Sequence, residues 1–157
     1  MLGLVIPGVG EWRLTHLLLD VNGTLARDGA LLDGVAERVA RLRAQLAVEL
    51  LSADTHGTLD ALAQQLGVPG HRLPPGAPEA ASKRARVEAL GAAQVAAIGN
   101  GANDVEMLRA AAVGIAVLGP EGLASAALVA ADVVVPCIQD ALDLLLYPRR
   151  LVATLRR

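Results

Sequence analysis

The sequence predicts an α/β protein: a mainly parallel sheet between two helical layers, a three-layer α/β/α, Rossmann-like arrangement. Three observations lead there. Short apolar runs alternate with helical patterns along the whole chain, and that alternation means parallel strands joined by crossover helices. Hydrophobic residues make up 54% of the chain but aromatics only 1%, with no Phe. The core must therefore be Leu, Val, Ile and Ala, which suits buried parallel strands under Ala/Leu-rich helices. The third observation is the stretch LLLDVNGTLARDG, residues 17–29. Three leucines read as a buried strand end, Asp20 follows at once, and a loop of small residues comes next. A carboxylate at the C-terminal end of an apolar strand is where open α/β sheets place their chemistry. The plainer reading is that Asp20 only stops a strand.

Residues 2–6 form a short apolar run that can make an edge strand, ended by Pro7-Gly8. Residues 12–19 read as the first main strand. Trp12 and Leu14 alternate with Arg13 and Thr15, and the run then becomes wholly apolar. Residues 26–32 contain Asp28-Gly29, the turn signal of a small hairpin. Asp33 can cap the helix that follows, where Val35, Val39, Leu42 and Leu46 recur at helical spacing. Residues 47–51 are the next strand, and Ser52-Ala53-Asp54-Thr55 follows it. Residues 58–66 make a short helix closed by Gly67. Residues 70–78 are a Gly- and Pro-rich loop with a brief strand at 71–73. A helix at 79–90 stops at Gly91. The strand at 94–98 runs into the tight loop Gly99-Asn100-Gly101. A helix at 103–112, a strand at 113–118, a helix at 120–129 and a strand at 132–135 complete the alternation. The remainder is helical, with Pro148 breaking or restarting it.

A chain of 157 residues is most simply one domain, residues 1–157, and can bury a core without staples. Its net charge of −2 offers no basic field for nucleic acid. The single cysteine, Cys137, reads as a small core residue rather than a nucleophile, and a reducing, cytoplasmic setting fits. No basic segment precedes the first apolar run, so a secretory signal is not expected. No apolar run approaches the ~18 residues of a membrane span, and no membrane partner is expected. The basic, amphipathic C-terminal segment reads as a docked helix.

Four strand-end loops carry polar residues of a consistent kind. They are Asp20-Val21-Asn22-Gly23-Thr24, Ser52-Ala53-Asp54, Lys83 early in a helix, and Gly99-Asn100-Gly101-Ala102-Asn103-Asp104. Together they supply a nucleophilic carboxylate, a hydroxyl beside backbone N–H groups, a cation and further oxygen ligands. Those are the parts that hold a phosphoryl group and a hard divalent cation. The alternative for Lys83 is a solvated helix lysine beside Arg84 and Arg86.

In these residues the chain resembles the haloacid dehalogenase superfamily, and within it most closely the phosphorylation domain of P-type ATPases. Asp20, Gly23, Thr24 and Leu25 match the D-K-T-G-T-L pattern. Ser52-Ala53-Asp54 looks like the T-G-D pattern, Lys83 with Val87 fits the lysine segment, and residues 99–122 look like G-D-G-x-N-D followed by A-x-x-G-I-A. Ala131-Asp132-Val133-Val134 resembles the A-D-V-V segment. The likeness spans nearly all of residues 12–135. It implies a phosphohydrolase in which Asp20 attacks phosphorus and becomes an aspartyl phosphate. It also implies that Mg2+ is held by Asp20, the backbone carbonyl of Asn22, Asn100 and Asp104. Phosphoryl oxygens would be bound by Ser52, Ala53, Gly23 and Thr24, with Lys83 neutralising charge.

Two departures matter. Most phosphatases of this superfamily have an aspartate where Asn22 stands, and an amide cannot carry the proton for the leaving group. Phosphoenzyme breakdown is therefore expected to be slow. Asn100 replaces a metal-binding aspartate, which should weaken the cation site without abolishing it and shift weight onto Asp104, with Asp54 a further carboxylate. His56 sits beside the second loop, either touching substrate or simply in a turn. A second reading is a catalytically weak regulatory or binding protein that holds a phosphorylated ligand or partner. The presence together of Asp20, Ser52, Lys83 and Asp104 favours the enzyme.

Family members usually carry an inserted cap over the site. Neither the 23–52 nor the 52–83 gap has room for one, so no cap domain is expected and no ATP-binding insert either. The site should be open, taking a phosphorylated small molecule or protein substrate, or closed by a neighbouring copy in a homo-oligomer.

Overall fold

The computed structural model describes Met1–Arg157. β1 (Leu2–Ile6) and β2 (Gly10–Leu14) pair antiparallel as a separate hairpin, with Leu2 opposite Leu14. β3 (His16–Asp20) enters a six-stranded sheet. A second small hairpin, β4 (Ala26–Arg27) and β5 (Ala30–Leu31), turns through Asp28 and Gly29, both at positive φ. α1 (Val35–Leu42), β6 (Ala47–Ser52), α2 (Leu59–Leu66), β7 (Gly70–Arg72) and α3 (Glu79–Ala89) follow. Then come β8 (Val95–Gly99), a 3-10 turn (Ala102–Asp104), α4 (Val105–Ala110), β9 (Val113–Val117), α5 (Ser125–Ala130) and β10 (Val133–Val135). α6 (Ile138–Leu146) and α7 (Pro148–Leu155) close the chain, with Pro148 starting α7 where its missing N–H does no harm.

The strand order is β10-β9-β8-β3-β6-β7, and every neighbouring pair is parallel. β3 is inner: Leu19 lies opposite Leu50 on one side and Ile98 on the other. The chain winds outward from β3 to β7, then returns to β8 and winds outward the other way. The crevice where the order reverses lies at the C-terminal ends of β3 and β8, the usual ligand position in such sheets. Asp20 ends β3 there.

The pleat sends alternate leucines to opposite faces. Leu17 and Leu19 join a large core with the β1–β2 hairpin, α1, α2, α6 and α7. Leu18 joins a smaller one with Val87 of α3, Met107 and Leu108 of α4 and Ala127 of α5. Close helix-to-strand approach there depends on Gly114, where a Cβ would sit 2.4 Å from the carbonyl oxygen of Leu108.

The three-layer expectation holds, and the segments between β3 and β8 leave no cap domain. Several local readings are corrected. Residues 12–19 are two strands, because Thr15 leaves the hairpin to bond Gln94 and Ala47 at the sheet edge. Residues 2–6 are a strand, but outside the parallel sheet. Asp33 does not cap α1: Gly34 holds the N-cap position with φ 75, and the Asp33 carbonyl accepts from Gln139 instead. The helix expected at 120–129 begins only at Ser125, because Gly119 and Gly122 take left-handed conformations in a loop that crosses the site. Cys137 is not a core residue. It is half-buried at the N-cap of α6, its thiol donates to the Asp140 carboxylate, and burial raises its pKa. No helix is long and apolar enough to cross a membrane.

Candidate active site

The loop after β3 is wound tightly. The Val21 carbonyl accepts from the N–H groups of Thr24, Leu25 and Ala26, and Gly23 turns at φ 78. This single turn holds the Thr24 hydroxyl, fully buried, 2.9 Å from Asp20 Oδ2 and 3.0 Å from Asn100 Oδ1. One hydroxyl has one proton. It can satisfy only one of these two buried oxygens at a time.

On the other side of Asp20 stands Lys83, which is buried and not a solvated helix lysine. Its Nζ donates to Asp20 Oδ1 and to Asp104 Oδ1, at 2.6 Å each, and the residue is 1% exposed. α3 packs against the smaller core through Val87, one turn after Lys83, and that carries the lysine stem inward. Asp104 uses its second oxygen to accept from the N–H groups of Asn100 and Gly101. Gly99 is required beside it, since a Cβ there would come within 2.5 Å of the carboxylate carbon.

Two carboxylates and one ammonium leave the cluster short of positive charge. Burial, then repulsion from Asp104, push the Asp20 carboxyl up to about 6, against the opposing pull of Lys83. Burial works against the Lys83 charge, but the attraction of Asp20 and Asp104 wins and its pKa is raised.

A cavity of about 250 Å³ opens over this cluster. Asp20, Asn22, Ser52, Ala53 and Lys83 line it together with Asn103, so all four of the sequence-expected segments meet at one place. Ser52 Oγ accepts from the Asp54 N–H at 2.8 Å, which leaves its own proton free to donate. Thr55, Glu79 and Asn103 complete the lining; Asn103 belongs to the fourth of those loops, whereas Glu79 was not anticipated from the sequence. Asn103 Nδ2 donates to Glu79 Oε2 at 2.6 Å. A larger cavity of about 530 Å³ lies between α3 and α4, bounded by Arg84, Glu88, Glu106 and Arg109, and contains none of these groups.

Asp54 and His56 do not join the site. Asp54 sits at φ 58 and accepts from the Leu59 N–H and from Arg72. These bonds, the Leu59 N–H first, hold its carboxyl below the usual range. His56 is exposed in a turn. Asn100 is more occupied than expected: besides Thr24, it donates through Nδ2 to the Gly122 carbonyl at 3.0 Å. The same loop brings Glu121 over Gly23, where a Cβ would lie 2.7 Å from Glu121 Oε2 and from Asn100 Nδ2.

The oxygen-only donor set of Asp20, the Asn22 backbone and Asn100 is the chemistry of a hard divalent cation. In the same cluster the two carboxylates of Asp20 and Asp104 share the single ammonium of Lys83, which leaves an excess of negative charge.

A family model described as haloacid dehalogenase-like hydrolase matches residues 7–112, more than half of the chain. An uncharacterized protein of Methanocaldococcus jannaschii is 51% identical over 63 residues, which is 40% of this chain and 68% of that one. Among solved structures, the 3-deoxy-D-manno-octulosonate 8-phosphate phosphatase of Moraxella catarrhalis, in complex with magnesium, phosphate and KDO, superposes with a TM-score of 0.64 at 18% identity. It covers 91% of this chain and 94% of its own. A phospho-aspartyl intermediate analogue of phosphoserine phosphatase superposes with a TM-score of 0.67 at 15% identity, covering 86% and 99%.

Proposed function

The chain belongs to the haloacid dehalogenase-like hydrolase family, and on that premise we propose that it is a Mg2+-dependent phosphohydrolase of phosphorylated small molecules, working through an aspartyl phosphate on Asp20. The observation that carries this reading is the buried Lys83 between Asp20 and Asp104, directly beneath the cavity. A structural ion pair has no need of an open cavity above it. Named phosphatases of the same fold act on small phosphorylated substrates, which supports the substrate class.

An Asp20 carboxylate oxygen attacks phosphorus while the leaving oxygen departs, and water later cleaves the aspartyl phosphate. Ser52, through its hydroxyl, and the N–H of Ala53 hold phosphoryl oxygens, with Gly23 and Thr24 closing the other flank. Lys83 offsets the charge of the phosphoryl group and keeps Asp20 oriented. Asp20, the Asn22 carbonyl and Asn100, with Asp104 behind, would hold Mg2+, which would supply charge neutralisation between nucleophile and phosphate. Asn22 cannot pass a proton, so the route that an aspartate there would supply is closed. Breakdown of the phosphoenzyme is therefore slower than with an aspartate at residue 22, in keeping with the likeness of residues 20–25 to the P-type motif.

Hydrolysis of p-nitrophenyl phosphate, followed with and without Mg2+ and in Asp20→Asn, tests the reading. Metal-dependent turnover that disappears in the variant is expected. Absence of turnover, of a labelled phosphoenzyme and of a metal-fluoride adduct would sink it.

A further inference from the structure

We propose that Glu79, on the first turn of α3, carries the proton that Asn22 cannot. The inference rests on the phosphohydrolase reading and adds to it a named acid and base. Glu79 and Lys83 are four residues apart on one helix and so share a face, about 6 Å apart along the axis. Lys83 reaches down to Asp20. The helix runs back from the C-terminal ends of the strands, so Glu79, its first residue, lies one turn nearer to that edge than Lys83. It lines the same 250 Å³ cavity as Asp20 and Asn22, a space that a phosphoryl group and a small leaving group fill. A ligand whose phosphorus meets Asp20 there shares the cavity with Glu79.

The carboxylate is also held. Asn103 Nδ2 donates to Glu79 Oε2 at 2.6 Å. Asn103 directly precedes Asp104, so the bond ties Glu79 to the loop that also positions Lys83. Glu79 is only half-buried and makes no ion pair, unlike Asp54 or Glu49, whose carboxylates are taken by arginines. Other charged groups around the cavity are Lys83, Asp20 and Asp104, all engaged with one another.

In the first half-reaction, the Asp20 oxygen forms a bond to phosphorus as the bond to the leaving oxygen breaks, and protonated Glu79 gives its proton to that oxygen. In the second, the Glu79 carboxylate takes a proton from water as the water oxygen bonds to phosphorus and the bond to Asp20 breaks. Asp20 returns as a carboxylate and Glu79 as the acid.

The test compares two leaving groups in the full chain with Mg2+. p-Nitrophenolate leaves without a proton, whereas the alkoxide of β-glycerophosphate needs one. Glu79→Gln keeps the size of the side chain and is expected to lower kcat/KM, which reports phosphoenzyme formation, by about a hundredfold or more for β-glycerophosphate and by a far smaller factor for p-nitrophenyl phosphate, while hydrolysis of the shared phosphoenzyme slows for both. Glu79→Asp should recover part of the loss. Equal loss of kcat/KM on both substrates, or no loss on either, overturns the proton role. If the unaltered protein hydrolyses neither substrate and takes up no phosphoryl label, the phosphohydrolase reading itself fails, which is a different result.

Discussion

Lys83 Nζ lies 2.6 Å from Asp104 Oδ1, and neither side chain is more than 1% exposed. This pair is the floor of the site, and Asp20 completes it from the neighbouring strand. Taking charges out of water is tolerable only while they remain paired. Lys83→Met should leave two facing carboxylates and destabilise the protein by about 3–5 kcal/mol, read by denaturant unfolding, with loss of turnover. Lys83→Arg should not restore activity, because a planar fork cannot replace a point charge shared between two oxygens.

Asp20 makes the fold less stable at neutral pH. Its carboxyl titrates near 6 in the folded chain against 3.8 for the free group. Between those values the folded chain holds a proton that the unfolded chain has lost, so stability falls as pH rises through that window. Asp20→Asn mimics the protonated form. In chelator, it should be more stable than the parent at neutral pH by a few kcal/mol, on the order set by the shift, and no different below about pH 4. Thermal unfolding across that range measures it, and equal curves for the two proteins would contradict the burial of an uncompensated charge.

Asn22→Asp should open a second proton route beside the nucleophile. Breakdown of a labelled phosphoenzyme should speed up by about tenfold to a hundredfold, measured by chase. The same substitution added to Glu79→Gln should restore turnover of an alkyl phosphate. An unchanged chase rate would mean that residue 22 does not face the phosphoryl group.

Asn100 is built into its surroundings by both ends of its amide. The oxygen meets Thr24 and the nitrogen donates to the Gly122 carbonyl. An aspartate there would set a carboxylate oxygen against that carbonyl. Asn100→Asp should therefore lower stability by about 1–3 kcal/mol without metal and bind Mg2+ more tightly, with calorimetric titration reporting the affinity. Weaker Mg2+ binding would exclude residue 100 from the cation site.

Much of the fold and the centre of the site were legible in the chain. Leu17–Leu18–Leu19 before Asp20 reads as a strand buried on both faces, and it is one. Ser52, Lys83 and Asp104 meet Asp20 because each follows or faces the end of a parallel strand, and parallel strands deliver all their C-terminal ends to one edge. Lys83 illustrates the limit. Its helical position is clear from spacing, but whether a lysine among Arg84 and Arg86 points to solvent or to the site depends on which face of α3 is buried.

The contacts that went unseen share one cause. Glu79 and Asn103 are 24 positions apart and touch only because α3 packs over the turn before α4. The one sequence signal for Glu79 was its four-residue spacing from Lys83. Asp54 reads as a site carboxylate by its loop, yet Arg72 on the edge strand β7 claims it. Residues 120–129 carry helical composition, but contacts with Gly23 and Asn100 hold the first part as a loop.

Periodicity and strand-end chemistry, properties of neighbouring residues, determined the architecture and placed Asp20 at the mouth of the sheet with an amide, Asn22, two residues on. Partners distant in sequence were decided only when the layers packed. Side-chain pairing within hydrogen-bond reach depends on helix rotation and loop path, which the larger burial of apolar surface sets and no local pattern records.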